Sequence, residues 1–328
     1  VTGSWQVGGD KARFQGQLSG RHLRLPGRDP LTGLRHATQE TPIGPLAARF
    51  ADAVRRASGD NMIRSQVAIV QRGGTGSLVL TGTRFSARSG AALALDPQGQ
   101  AVLTWPGAGG APIGWALNGA ITSEGGGMPH VALRLARRSG GGLGGQLFMD
   151  PYTAAGARLA LDPVRFVAGV GGETRFDTAL TLDGPLPGGA LHGLRMPLGG
   201  VIAANGTVSV NARCMPLAIH AVRTGSFTLQ NVRQTVCPLS GGALFAAGPA
   251  GVRGGAEMRK VDLTGSSGGS PMRLTADSAR LTLDQPGFSL SNLTFAIGPR
   301  DAAVPLTAAS LTGRAAAAGF GGTLGGGG

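Results

Sequence analysis

From Met62 onward the chain is a near-continuous series of short segments in which apolar and polar residues alternate, each closed by a glycine-containing turn. Alternation with a period of two places apolar side chains on one face of a strand and polar ones on the other. It is legible in Gln66 to Val70, Ser77 to Thr81, Ala91 to Leu95, Ala101 to Trp105, Trp115 to Ile121, Val131 to Leu135, Gln146 to Met149 and Ala157 to Leu161. The same pattern returns in Thr174 to Leu182, Val201 to Asn211, Ala218 to Val222, Ser226 to Val232, Ala256 to Leu263, Met272 to Leu283 and Phe288 to Ile297. Many short strands without interspersed helices predict an all-β architecture and argue against a βαβ sheet. A phrase recurs at the predicted strand ends: Leu95-Asp96-Pro97, Leu161-Asp162-Pro163, Leu182-Asp183-Gly184-Pro185 and Leu283-Asp284-Gln285-Pro286. Aspartate accepts a turn hydrogen bond and proline fixes the next φ, so each copy is expected to end a strand. The copies have no constant spacing, which favours a hairpin-extended meander over a solenoid.

One helix interrupts this pattern. Pro45 suits the first helical position, Leu46, Phe50, Val54 and Ala57 recur at intervals of three and four, and Gly59 stops the run. An amphipathic helix over 45–57 is therefore expected to lay an apolar stripe on a sheet. Residues 1–35 read as short extended pieces. Pro106 to Pro112, Ser139 to Gly145 and Gly184 to Gly200 read as looser connections, and 315–328 as a flexible Ala/Gly-rich tail. A soft division near Gly140 is the one internal boundary that the composition suggests.

The 59 glycines and the aromatic share of 5% leave little material for an aromatic-rich enzyme core, while the 41% apolar content exceeds what a disordered chain carries. A net charge of +13 invites a nucleic-acid reading. The cations are scattered singly, with no cluster longer than Arg55-Arg56 and Arg137-Arg138, and this argues against nucleic acid. Anionic lipid headgroups would suit such a surface equally well. Gly140 to Gly145 matches a dinucleotide-binding glycine spacing and Gly265-Ser266-Ser267-Gly268-Gly269 a nucleophile-elbow spacing, but glycine this frequent supplies both by chance. His22, His36, His130, His192 and His220 form no metal-binding pattern, and the sequence points to no catalytic residues, metal or cofactor. Asp183 and His192 could meet in space, but read better as a turn aspartate and a surface histidine.

The only two cysteines, Cys214 and Cys237, are each followed closely by proline and leucine and bracket one extended excursion and its return. Such a pair suits a disulfide between strand ends better than a metal site, which wants three or four ligands. Two unrelated buried thiols are the alternative. A bond closing that loop would contribute roughly 3 to 4 kcal/mol and would imply an oxidising compartment. No window holds eighteen consecutive apolar residues, so no helical membrane span is predicted.

A long amphipathic sheet must hide its apolar face against another layer or curl around something apolar. Glycine permits bends and bulges along strands, which favours curling. The positions expected to face an apolar ligand are Leu78, Leu80, Val208, Val210, Leu281, Leu283, Phe288 and Leu290. The Cys214-Met215-Pro216-Leu217 and Cys237-Pro238-Leu239 pair, Thr41-Pro42-Ile43 entering the helix, and the glycine-rich amphipathic strands resemble the YdbH-like branch of the AsmA/TamB superfamily from Gram-negative bacteria. That resemblance implies a long, highly twisted antiparallel sheet curled into an open hydrophobic groove, β-taco-like, as one elongated segment over 1–328 of a longer protein. It further implies anchoring in the inner membrane, a position in the periplasm, phospholipid as cargo, inner- and outer-membrane components as end partners, and cysteines that clamp neighbouring strands. The competing expectations are a secreted structural or adhesive β-helix or sandwich, and an outer-membrane barrel, for which the strands are short and aromatic girdles scarce.

Overall fold

The computed structural model describes residues 1–23, 35, 38–98, 101–105, 114–115, 118–137, 142–169, 171–239, 242–248, 251–283, 287–299, 301–316 and 319–327. In chain order the elements are β1 (Thr2–Gly8), β2 (Lys11–Leu23), α1 (Gly44–Ala57), β3 (Asn61–Arg72), β4 (Thr75–Ala87), β5 (Ala92–Asp96), β6 (Ala101–Trp105), β7 (Gly114–Trp115), β8 (Gly119–Glu124), β9 (Val131–Arg137), β10 (Leu143–Met149) and β11 (Tyr152–Ala154). They continue with β12 (Ala157–Leu161), β13 (Val164–Ala168), β14 (Thr174–Leu186), β15 (Gly189–Ile202), β16 (Val208–Val210), β17 (Met215–Thr224), β18 (Phe227–Pro238), β19 (Phe245–Gly248), β20 (Gly251–Arg253), β21 (Gly255–Ser267), β22 (Ser270–Thr282), β23 (Gly287–Ile297), β24 (Val304–Ala316) and β25 (Gly319–Gly327). The fold is all-β and mostly antiparallel, and α1 is amphipathic.

Contacts divide the chain into two compact units, the first comprising Val1–Gln39, Gly44–Ala154 and Leu161–Val170, the second Glu40–Ile43, Ala155–Ala160 and Gly171–Gly328. In the first unit β1, β2, β3 and β4 pair in order. β4 then serves two partners, β6 along Gly76–Val79 and β5 along Thr83–Ser86. β5 leads through β8, β9 and β10 to β13. Helix α1 covers part of this unit. Leu46, Ala47, Ala51 and Ala53 are its buried side chains, and Tyr152 pins the packing by donating to the Gly127 carbonyl at 2.7 Å beneath the Arg49 guanidinium.

In the second unit β14 pairs with β15, and β15 divides its length between β16 and β17. From β17 the order β18, β21, β22, β23, β24, β25 is unbroken, while β16 leads aside to β19 and β20. Three stretches depart from expectation. Gly184 to Gly200, read as loose, completes β14 and forms most of β15. The Ala/Gly tail pairs as β25 along β24, because backbone donors and acceptors suffice for a ladder and Thr312 and Thr323 join their hydroxyls across it at 2.9 Å. Asp183 does not end a strand. It sits at a bulge inside β14, where its Oδ1 accepts from the Gly193 amide at 2.8 Å. By contrast β5 and β12 end at Asp96 and Leu161 as their Leu-Asp-Pro phrases predict, with Asp96 Oδ1 accepting from the Gln98 amide. Pro106 to Pro112 and His36 lie outside the described residues.

Glycine frequency has a steric counterpart in the sheet. Trp105, Phe166, Phe176 and Phe288 stand directly opposite Gly76, Gly145, Gly200 and Gly313 on the neighbouring strand. Each ring lies where the glycine's side chain would be, so that a Cβ at Gly200 would meet the Phe176 ring at 2.7 Å. An aromatic side chain laid across a facing glycine shields backbone that the glycine leaves bare.

Cys214 and Cys237 are bonded across the open end of the β17–β18 hairpin, one step beyond the Met215–Val236 pair. Replacing both by serine is expected to lower stability by roughly 3 kcal/mol, from the loop-closure entropy returned to the unfolded chain. A urea midpoint measured for this variant against the oxidised protein checks the figure.

Candidate functional site

The second unit has one apolar and one polar face, and its register shows how the sequence produces them. Across β21 to β24 the rows Val261–Ala276–Leu293–Ala308 and Met258–Ala279–Leu290–Leu311 lie side by side on one face. Strict alternation would put Met258 and Val261 on opposite faces, since an odd number of steps separates them. Lys260 resolves the conflict by adopting φ 53°, as does Asn292 with φ 48°, and Gly326 with φ 62°. These left-handed residues stand in one transverse line with Asp277 and Ala309, where the pairings of β21 to β25 skip a step. The register is unshifted across the line, and each of β21 to β24 takes the same three steps between its two apolar rows, so the apolar set continues on the same side in all of them. Asn292 holds the line by donating from Nδ2 to Asp277 Oδ2 at 2.6 Å. A second such line joins Gly193 (φ 61°), His220 and Asn231 (φ 51°).

On the apolar face Val261, Ala276, Ala279 and Leu293 are buried, enclosed by Met258, Leu263, Leu274, Leu290 and Leu311. The larger side chains close over the smaller ones, so burial is achieved within a single face. Among the described residues the unit contains no helix to lie across it. The outer members stay open to solvent, with Leu281 47%, Leu306 59% and Val304 66% exposed. An apolar trough of about 290 Å³ runs over β17, β18, β21, β22 and β23, between Val222, Phe227, Leu263, Leu274 and Phe295.

The opposite face is tied by polar cross-strand pairs. Arg273 donates to both oxygens of Asp262 at 2.8 and 2.6 Å, Arg280 to Glu257 at 3.1 Å, and Ser278 and Ser291 share a hydroxyl bond of 2.8 Å. The Arg273 hydrogen bonds hold the Asp262 carboxyl below its usual range, and those of Arg280 do the same for Glu257. The disulfide belongs to this face, because Met215 and Val236 beside it turn inward.

The register places the expected contact residues as follows. Leu281, Phe288 and Leu290 lie on the apolar face of the second unit, and Leu283 follows the end of β22 with its amide on the Gly254 carbonyl. Val208 and Val210 form the short β16, which continues that face from Gly200 and Ile202. Leu78 and Leu80 belong to the first unit, in rows with Ile69 and Val67. Sequence reading missed Leu263, Leu274 and Phe295, which line the trough, although their alternation was visible.

The first unit holds a larger apolar cavity, about 530 Å³, between the last turn of α1 and the strands β3, β4, β5 and β8. Val54, Ala57, Phe85, Leu93 and Met128 line it, and its three polar side chains are engaged. Ser58 donates to the Arg55 carbonyl, Asn61 to that of Leu23, and Ser123 to that of Pro129.

Family models, curated proteins and solved structures yield no match to this chain.

Gly268 and Gly269, both at positive φ, make the hairpin turn between β21 and β22, so the Gly-Ser-Ser-Gly-Gly stretch serves as strand end and turn. His192 is exposed beside the bulge, while Asp183 is engaged with the Gly193 amide. No cluster of three potential metal ligands is found among the described residues, and none of their helices is long and apolar enough to cross a membrane.

Proposed function

We propose that this chain is a lipid-carrying segment, shielding phospholipid acyl chains as they pass between two membranes. The observation that carries the reading is the apolar face of the second unit, which spans consecutive strands and, among the described residues of that unit, has no helix laid over it. A face of this kind is a liability in water unless something apolar occupies it. Acyl chains fit, since they need no hydrogen-bond partners and the trough lining offers mainly Leu, Val, Met and Phe. The lines of left-handed residues supply the bends by which such a sheet would curl into a groove. The polar face, with its ion pairs and its disulfide, suits the oxidising periplasm. The AsmA/TamB resemblance supports the same reading, with the inner-membrane anchor and the end partners belonging to a longer protein.

Mass spectrometry of the protein purified from the periplasm of a Gram-negative host tests this directly. Retained phospholipid above the level of a non-binding β protein, lost on Leu274→Asp and kept on Thr264→Asp, is the expected result. Absence of phospholipid from the unmodified protein would overturn the proposal in favour of a structural or adhesive role.

A further inference from the structure

We infer that the first unit carries a separate binding site for one long-chain fatty acid, in the cavity beneath the end of α1. The inference rests on that cavity alone and does not depend on the transfer reading. Its volume of about 530 Å³ falls within the range of small-ligand pockets, roughly 300 to 1,000 Å³. A methylene fills close to a water's share of liquid volume, about 30 Å³, so the space is of the order of one long acyl chain and short of two.

The walls select for a chain without polar groups. Val54 and Ala57 come from the helix, Phe85 and Leu93 from β4 and β5, Leu23 from the end of β2, and Met128 from the connection after β8. The hydroxyls of Ser58 and Ser123 and the amide of Asn61 already donate to backbone carbonyls. An apolar cavity of this size lined by satisfied groups favours hydrocarbon over water.

The charged groups around it favour an anionic head. Arg55 and Arg56 occupy the last turn of α1, two steps at most from the lining Ala57. Arg56 also reaches the Gly126 carbonyl at 3.3 Å, close to Met128. Arg88 sits on the tight turn that joins Ala87 to Ala91, both of which line the cavity. Its side chain is exposed and has no acidic partner among the described residues. The acids nearby are already paired, Asp52 with Arg35 and Arg55, and Asp60 with His22 at 3.2 Å. With Arg55 on Asp52 and Arg56 held to the Gly126 carbonyl, Arg88 is the cation beside the lining whose guanidinium has no partner among the described residues, and so the one open to a carboxylate. A fatty acid places its chain in the cavity and its carboxylate on Arg88.

Fluorescence titration with cis-parinaric acid on the purified full chain is the test. The expected result is saturable binding with one site per chain, displaced by oleate. Ala57→Phe fills the cavity from the exposed end of the helix and weakens binding by more than about tenfold, and Arg88→Glu weakens it by about threefold. A second filling variant, Ala92→Phe, approaches from β5, and circular dichroism verifies that each variant keeps its strands. Non-saturable fluorescence, or binding unchanged in both filling variants, overturns the proposal. Phospholipid retention is measured on the same preparations, so that parinarate binding lost with phospholipid retained, or the reverse, tells the failure of this site from the failure of the transfer surface.

Discussion

Val261→Asp is expected to destabilise the protein by more than about 4 kcal/mol, a large share of the roughly 5 to 15 kcal/mol by which ordinary domains are stable. Val261 is only 3% exposed, and the side chains around it are Ala276, Leu293 and the larger residues that close over them. A carboxylate there would have neither water nor a donor. Three residues on, Thr264→Asp is expected to change stability by less than about 0.5 kcal/mol, since Thr264 is exposed on the polar face opposite Arg273. Urea unfolding of the two variants therefore reads the face assignment directly. Equal costs would show that the two faces do not differ as described.

Gly193→Val carries the second large effect, expected at roughly 2 to 4 kcal/mol. Two causes add. The residue has φ +61°, a conformation that a β-branched side chain strongly disfavours, and a Cβ there would lie 2.8 Å from the Cβ of His220 on the facing strand. Gly225, at φ +55°, has nothing within 4 Å of the same position, so Gly225→Asn should cost well under about 1 kcal/mol. Thermal midpoints of the pair separate backbone conformation from cross-strand crowding.

The strands were legible because the period of two survives in the letters, most clearly in Met272-Arg273-Leu274-Thr275-Ala276. The left-handed lines were legible too, though unread, as a step of three between apolar residues: Met258 to Val261, Ala276 to Ala279, Leu290 to Leu293 and Ala308 to Leu311. β15 was misread because glycine and proline dominate Pro197 to Gly200, and a single sequence does not reveal that Phe176 lies across Gly200. The helix stripe reads over Leu46, Phe50, Val54 and Ala57; Leu46 is buried as that stripe expects, and Ala47, Ala51 and Ala53 are buried with it. Small residues let a helix approach a sheet, and hydrophobicity alone underrates them. The cavity at the end of α1 had no signature in the sequence. It depends on how far the helix end stands from β5 and β8, which is a tertiary distance.

From β21 to β25 each strand pairs with its neighbour in the chain, and all but β22 and β24 carry their own left-handed residue in the transverse line. Such a sheet can evolve by duplicating a hairpin without redesigning what is already there. A duplicated hairpin inherits one strand with a left-handed residue and one without, both taking the same step of three, and so stays in step with the line. A lone inserted residue elsewhere would send half a strand's leucines to the wrong side. Sequence drift in this region should therefore tolerate the gain or loss of whole hairpins more readily than that of single residues.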